Sequence, residues 1–384
     1  MRGFVIAPAG LQIALRLYIL STGHREGSNH DRTAHQACAA LRRAVAACGS
    51  RACSLSHTMI GKYEGDATVP SSDVLLKLAE TFGVRVEFFF RQRDARLTGV
   101  EYRKASRLGR KTLDRIEGNV REQVERFLSL EDYLPARPIT PFALPETLPP
   151  AISTLGDIED LVLGLREGWG LGNDPIPVVT DMLEERGMLV VQCPAGPEDK
   201  FDGLAAEVDG IPVIVVGRDW PGDRQRFTLA HEFGHVVLRG RLADGLDEEA
   251  AANRFAGAFL APAPEVIKEL GPRRTRLEPR ELCVLKQTYG LSMGAWLFRA
   301  RDVGVLDQPS YVAAVKQFRI KGWHRREPCE PYPPERPQLF EQMVFHALAE
   351  DYITESKAAE LFGLPLMDFV ALRNMEPTDA VVDQ

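Results

Sequence analysis

The stretch RFTLAHEFGHVVLRG (residues 226–240) places the polar sequence HEFGH between apolar residues, and it predicts a helix. On a helix His231 and His235 lie about one turn apart and project from the same face, while Glu232 lies one step around. The flanking apolar positions are Phe227, Leu229, Ala230, Phe233, Val236, Val237 and Leu238. A helix that is apolar on most sides is buried, so an interior polar site is expected.

Two neutral imidazoles at this spacing can bind one Zn²⁺ at about 2.0–2.1 Å. Glu232 can then reach a water held by the metal, which predicts the role of general base and later of proton donor to the leaving amine. A catalytic zinc site also needs a third protein ligand and an open position. The next predicted helix, DEEAAANRFAGAFLAP (residues 247–262), offers Glu248 and Glu249.

HEFGH followed by E-x-x-x-N-x-F-A and a terminal L-x-P resembles the ImmA/IrrE family of metallopeptidases. In that family the third ligand is the Glu four residues before the Asn, which corresponds here to Glu249 and Asn253. The resemblance therefore implies metal ligation by His231, His235 and Glu249, catalysis by Glu232, and a hydrogen-bonding role beside a ligand for Asn253. Glu248 remains the alternative third ligand. Zn²⁺ is the expected metal, with Mn²⁺ or Fe²⁺ as alternatives, because selectivity depends on geometry and supply.

The segment AAEVDGIPVIVV (residues 205–216) predicts a β-hairpin, because Asp209 and Gly210 supply a turn of positive φ between two β-rich runs. In metallopeptidases of the HExxH type an edge strand often pairs with the substrate backbone. Residues 211–216 are the candidate for that strand, and a purely structural strand is an equal alternative.

Near the N-terminus, the pattern S-x-x-x-I-x-x-Y-E (residues 56–64), followed by Pro70 and an amphipathic helix, resembles the Xre/Cro-type helix-turn-helix. The resemblance implies a recognition helix over about 56–63 that enters the major groove of double-stranded DNA. The expected DNA contacts are made by the polar side chains of Ser56, His57, Thr58 and Lys62. A helical protein–protein module of the same fold is the alternative.

Charge is unevenly distributed along the chain. Residues 1–130 hold 21 Lys and Arg against 13 Asp and Glu, a balance of +8, whereas the whole chain has a net charge of −7. A basic first third favours attraction to phosphates. The basic residues around 103–111 can contact phosphates or form a solvated helix face. The six cysteines include no CxxC pair, so reduced thiols and a cytoplasmic location are expected.

These patterns predict a mainly α protein with a small β-sheet (α+β), which combines a helix-turn-helix bundle, a zincin-like metallopeptidase domain and a small C-terminal helical unit. The proline-rich stretch LPARPITPFALPETLPP (residues 134–150) marks the main boundary. The C-terminal sequence SKAAELFGLPLMDF is expected to form a packing or oligomerisation module. The expected segments are a DNA-binding domain (1–90), a helical connector (91–134), a linker (135–150), the peptidase domain (151–305) and a C-terminal helical region (306–384).

The combined resemblance implies a DNA-binding regulator that cleaves an intracellular protein, expected to be a transcriptional repressor, in a stress or mobile-element response. It implies no membrane partner, and the helix-turn-helix part allows a homodimer. Two alternatives remain: a metal-binding domain without catalysis, and a non-catalytic transcription factor whose metal-binding domain senses a ligand or a metal.

Overall fold

The computed structural model describes residues 70–82, 97–98, 110–135, 140–195 and 201–376, together with Met59, Lys62 and Thr68. The chain divides into two compact units. The mixed unit comprises residues 97–107 and 137–340, and it contains the sheet and the HEFGH helix. The helical unit comprises residues 1–96, 108–136 and 341–384, and the elements described in it are helices.

The described elements follow the chain in this order: α1 (Ser72–Phe82), β1 (Leu97–Thr98), α2 (Arg110–Glu131), α3 (Asp157–Gly168), α4 (Val179–Glu185), β2 (Leu189–Cys193), β3 (Gly203–Val208), β4 (Ile211–Gly217), α5 (Gly222–Leu238), α6 (Glu248–Leu260), α7 (Ala263–Leu270), α8 (Pro279–Tyr289), α9 (Met293–Asp302), α10 (Gln308–Ile320), α11 (Leu339–Ala349), α12 (Glu355–Phe362) and α13 (Leu366–Arg373). The described chain is therefore mainly helical with a small sheet, as the sequence predicts.

In the helical unit, α2 buries the apolar stripe that its sequence predicts, with Ile116, Val120 and Val124 each at most 2% exposed. The C-terminal helices α12 and α13 are joined by a tight turn at Gly363, whose φ is +70°. The ring of Phe369 lies 5.5 Å from that of Phe362, so the two helices share a small aromatic contact.

The sheet of the mixed unit has the order β1-β3-β4-β2. Strands β3 and β4 form the predicted hairpin, with positive φ at Asp209 (50°) and Gly210 (81°), so this prediction is confirmed. β4 also pairs with β2 in parallel, from Leu189 opposite Val213 onward. The prediction that residues 211–216 could be an edge strand is therefore wrong. The buried apolar run Val213–Val216 within them is typical of an interior strand.

Strand β3 lies between β1 and β4 in the sheet order, and its first residue packs beside α5. Its partner on the side away from β4 is β1, which pairs with β3 at Glu207 and Val208. Among the described residues, the first four residues of β3 have a strand neighbour only on the β4 side.

Helices α5 and α6 cross the centre of the unit and pack closely together. Phe233 of α5 is fully buried, and its ring lies 5.3 Å from that of Trp169 and 5.3 Å from that of Phe259. At Gly234, an added Cβ would lie 2.9 Å from the ring of Phe255. The two residues inside HEFGH therefore have structural roles: Phe233 anchors the helix in the core, and Gly234 permits the close approach of α6.

The proline-rich residues 327–337 (EPCEPYPPERP), here called the strap, cross the N-terminal end of α5 without forming a helix or strand. Pro333 lies so close to Gly222 that a Cβ there would be 1.9 Å from the Pro333 carbonyl oxygen. The backbone N–H of Glu335 donates to Oε1 of Gln225 at 2.9 Å. The strap is thus an integral part of the mixed unit.

Two cysteines of the mixed unit form a disulfide. The Sγ atoms of Cys283 on α8 and Cys329 on the strap are 2.01 Å apart. The expectation that all six cysteines are reduced thiols is therefore wrong for this pair. The two residues are separated by 46 positions in the chain. No cysteine motif of the sequence predicts a disulfide between residues that far apart. Cys193 is buried, and its Sγ lies 3.8 Å from the carbonyl oxygen of Val216.

No helix in the described part of the chain is both long enough and apolar enough to cross a lipid bilayer.

Candidate metal centre

Helix α5 presents HEFGH to the interior, as its apolar flanks require. His231 is 7% exposed, and Glu232 and His235 are each 2% exposed. The Nε2 atoms of the two imidazoles lie 3.2 Å apart. This is the arrangement expected of two histidines one helical turn apart on a single face.

Helix α6 brings a carboxylate to these imidazoles. Its N-terminus is fixed by Asp247, whose side chain accepts a hydrogen bond from the backbone N–H of Ala250 at 2.9 Å. Glu249 follows in the first turn. Its Oε2 lies 3.5 Å from Nε2 of His231, and its Oε1 lies 3.5 Å from Nε2 of His235. Residues that are distant in the sequence therefore meet at one point.

The separations among these ligand atoms can be compared with a metal site. Four ligands placed tetrahedrally about 2.0–2.1 Å from a zinc ion lie roughly 3.3–3.4 Å from one another. The Nε2···Nε2 distance of 3.2 Å is close to that value, and each Nε2 lies 3.5 Å from a different oxygen of the Glu249 carboxylate. Among the described residues, these three side chains form a group that could hold a metal ion.

Two further polar side chains of α6 contact the imidazoles from behind. Oδ1 of Asn253 lies 3.1 Å from Nδ1 of His231, at the position where the sequence places a hydrogen-bonding partner. Oε1 of Glu248 lies 3.4 Å from Nδ1 of His235. Glu248 thus contacts the ring nitrogen that faces away from Glu249, whereas Glu249 contacts both inward-facing nitrogens.

Glu232 lies beside the first residue of β3. A Cβ added at Gly203 would lie 3.5 Å from Cγ of Glu232 and 2.5 Å from Cγ2 of Thr228. Any larger residue at position 203 would push β3 away from α5. Gly203 therefore allows the backbone of this strand to pass close to the predicted general base, and sequence reasoning did not single it out. The sequence feature that could have identified Gly203 is its position as a glycine at the start of a predicted strand.

The predicted DNA contacts cannot be placed as a group. Ser56, His57 and Thr58 lie outside the described residues. Lys62 is described, and it is helical and exposed.

Residues 183–301 match a peptidase family. The family model is described as the IrrE N-terminal-like domain, and the matched residues extend from the end of α4 to the end of α9. They include α5, α6 and every residue of the metal-ligand group. This similarity supports a metallopeptidase-type function. The strap lies beyond the matched residues. No curated protein matches the chain.

Proposed function

We propose that the mixed unit is a zinc-dependent endopeptidase that cleaves another protein. The observation that carries this proposal is that the Nε2 atoms of His231 and His235 lie within 3.5 Å of each other and of the Glu249 carboxylate of α6. The two histidines lie on the same helix as Glu232, α5. The match of residues 183–301 to a peptidase family supports the same conclusion.

In this proposal His231, His235 and Glu249 would hold the cation. A divalent cation bound there supplies Lewis-acid chemistry, which makes water acidic enough to act near neutral pH and polarises a carbonyl group. Glu232 accepts the proton from the attacking water and returns it to the amine that leaves. Because Glu232 is buried, few competing water molecules reach its carboxylate.

The side of β3 that faces away from β4, over residues 203–206, is the proposed docking site for an extended segment of the protein substrate. Gly203 borders Glu232, and the backbone of β3 on that side is paired only at Glu207 and Val208 among the described residues. A substrate strand added there would gain main-chain hydrogen bonds and pass close to the general base. An unfolded or extended polypeptide suits such a docking site better than a compact small molecule.

The test compares the Zn²⁺-loaded chain with its Glu232→Gln variant on a set of proteins that includes a transcriptional repressor encoded nearby. Intact-mass analysis should detect specific cleavage by the wild type, a loss of about 100-fold or more in Glu232→Gln, and equal bound zinc in both. Glu330→Gln, which changes an exposed carboxylate of the same unit, should cleave normally.

Equal product formation by the wild type and Glu232→Gln would overturn the proposed chemistry. If neither cleaves any candidate and both bind the metal equally, the result favours a non-catalytic sensor of a metal or a ligand. Measuring zinc content separately from cleavage distinguishes this outcome from failure to bind zinc.

We further propose that the N-terminal region binds double-stranded DNA, so that the chain combines DNA binding with cleavage of a repressor. Its support is the sequence pattern at 56–64 and the +8 charge balance of residues 1–130. The affinity for duplex DNA should fall steeply between about 50 and 200 mM salt, because cationic side chains release counterions from the phosphates. A salt-independent affinity, or no binding, would contradict it.

A further inference from the structure

Each imidazole of the metal-ligand group has one nitrogen that faces the other ligands and one that faces away. The Nε2 atoms of His231 and His235 face Glu249. A histidine that binds a metal is kept in one tautomer and one orientation by the group at its other nitrogen. The partners of the two Nδ1 atoms therefore determine how well the site is prepared for a cation.

At His231 the partner is an amide. Nδ1 lies 3.1 Å from Oδ1 of Asn253, which is an acceptor, so the hydrogen of the neutral ring resides on Nδ1. The lone pair of Nε2 then points toward Glu249. Asn253 thus fixes the tautomer that ligation requires.

At His235 the partner is a carboxylate. Oε1 of Glu248 lies 3.4 Å from Nδ1, and an ionised carboxylate can only accept from the ring. This distance exceeds the roughly 2.7–2.9 Å of a charge-assisted hydrogen bond, so the contact is an electrostatic one. It favours the same Nδ1–H tautomer as at His231.

We propose that Glu248 is a positioning residue that orients His235 toward a divalent cation, and that it is not the third ligand. The inference rests on the proposed function of the metal site. Glu248 and Glu249 are adjacent on α6, so their side chains diverge by about 100° around the helix. Glu249 consequently reaches the inward nitrogens, while Glu248 reaches the opposite edge of the His235 ring.

The proposed arrangement explains why one helix end holds three polar residues at these positions. Glu249 would bind the cation. Asn253 would fix the orientation of the His231 imidazole, and Glu248 that of the His235 imidazole. With hydrogens on both Nδ1 atoms, both Nε2 atoms would present their lone pairs toward Glu249, as ligation of a cation requires.

The experiment measures the Kd of Zn²⁺ by competition with a chelating dye, in the full chain and in single variants. Glu248→Ala should weaken binding by about 10–100-fold, the usual effect of removing a group that orients a ligand. Glu248→Gln should recover part of this loss, because its amide oxygen still presents a partial negative charge to Nδ1–H of His235. Glu249→Ala should lose more than about 100-fold, and Glu330→Gln should match the wild type.

Co²⁺ absorption supplies a second readout that a merely structural role would not change. Glu248→Ala should keep the intense bands of a four-coordinate site, with a shifted maximum, whereas Glu249→Ala should lose their intensity. Circular dichroism of the metal-free variants checks folding, and little change is expected because the Glu248 side chain is 48% exposed.

Unchanged Zn²⁺ affinity in Glu248→Ala would overturn the inference. A loss as large as that of Glu249→Ala, together with loss of the four-coordinate Co²⁺ bands, would overturn it in favour of Glu248 as a ligand. Failure of the wild type to bind Zn²⁺ would instead contradict the proposed function itself. The two failures are therefore distinguishable.

Discussion

The two ends of helix α5 hold polar side chains in contrasting surroundings. Near the N-terminal end, Arg226 is 1% exposed and donates to Oε1 of Glu335 at 2.6 Å. Near the C-terminal end, His231 and His235 face Glu249, whose side chain is 54% exposed. The Arg226–Glu335 pair is therefore buried inside the unit, and we call this the sealed end of α5. The group at His231, His235 and Glu249 is exposed to solvent on the Glu249 side, and we call this the open end.

The sealed end has fixed protein partners for nearly all of its polar atoms. The guanidinium of Arg226 also donates to the carbonyl oxygen of Ile176 at 2.6 Å and to that of Pro177 at 3.0 Å. Oε2 of Glu335 accepts from the backbone N–H of Thr180 at 3.0 Å. Buried charges persist only when they are paired and hydrogen-bonded in this way.

The open end has a different arrangement, in which two imidazole Nε2 atoms and a half-exposed carboxylate face one another. Such a cluster is suited to a ligand that the chain does not supply. The comparison indicates that the strap end of α5 stabilises the fold, whereas the HEFGH end is adapted for binding. Variants at the two ends should therefore separate stability from metal affinity.

The largest expected effect is the loss of stability when Glu335 is removed. Glu335→Ala leaves Arg226 charged and unpaired in the interior, which should lower the free energy of unfolding by about 3–5 kcal/mol. Urea unfolding measures this change, and Glu330→Ala, an exposed position of the same strap, is the matched control. The folded fraction should bind Zn²⁺ with the wild-type Kd.

A large loss of Zn²⁺ affinity in folded Glu335→Ala would contradict the separation of the two ends. Replacing both partners, as in Arg226→Met with Glu335→Leu, should cost less stability than Glu335→Ala, because no buried charge is left without its partner.

Much of the metal site could be predicted from local sequence. The spacing of His231 and His235 and the apolar flanks specify a buried helix, and the family pattern points to Glu249. The hairpin was equally readable from Asp209 and Gly210, because a two-residue turn is a local feature.

Features that depend on contacts between distant residues could not be predicted. Glu335 pairs with Arg226 across 109 residues, and nothing in the proline-rich strap signals a buried carboxylate. The order of strands was also inaccessible, because an apolar run does not say which neighbours a strand has. For that reason β4 was a candidate edge strand, although it lies between β2 and β3.

A smaller effect is expected from the glycine that makes room for Arg226. Gly290 has a φ of +67°, and a Cβ there would lie 2.2 Å from Nε of Arg226. Gly290→Ala should destabilise the fold by roughly 2–3 kcal/mol, since it combines a left-handed backbone with displacement of the guanidinium. Thermal unfolding measures the loss.

Gly322→Ala is the matched control for this substitution, because Gly322 has a φ of +73° and open space around the position of a Cβ. Gly322→Ala should lower the free energy of unfolding by about 1–2 kcal/mol, which is the cost of placing alanine in a left-handed backbone conformation without a steric clash. Equal destabilisation in the two variants would mean that the space beside Arg226 has no energetic importance.

The smallest expected effect is a pH dependence at Glu184, on helix α4 near the strap. Burial raises the pKa of Glu184 to about 8, against the hydrogen bond from the backbone N–H of Leu339, while the nearby Asp181 raises it further. Between the ordinary value of 4.5 and about 8, the folded state therefore holds a proton that the unfolded state releases. The contribution of Glu184 to the free energy of unfolding is therefore fully present below pH 4.5, and it is lost as the pH rises through about 8.

Glu184→Gln should remove this part of the pH dependence, because a neutral amide cannot ionise. The melting temperature of the variant should exceed that of the wild type most clearly at pH 8–9, and the difference should shrink toward pH 5. Glu185→Gln, at the exposed neighbouring position, should leave the wild-type slope in place. If Glu184→Gln has the same slope as the wild type, Glu184 is ionised in the folded chain, and the strap side of the unit admits more water than its packing indicates.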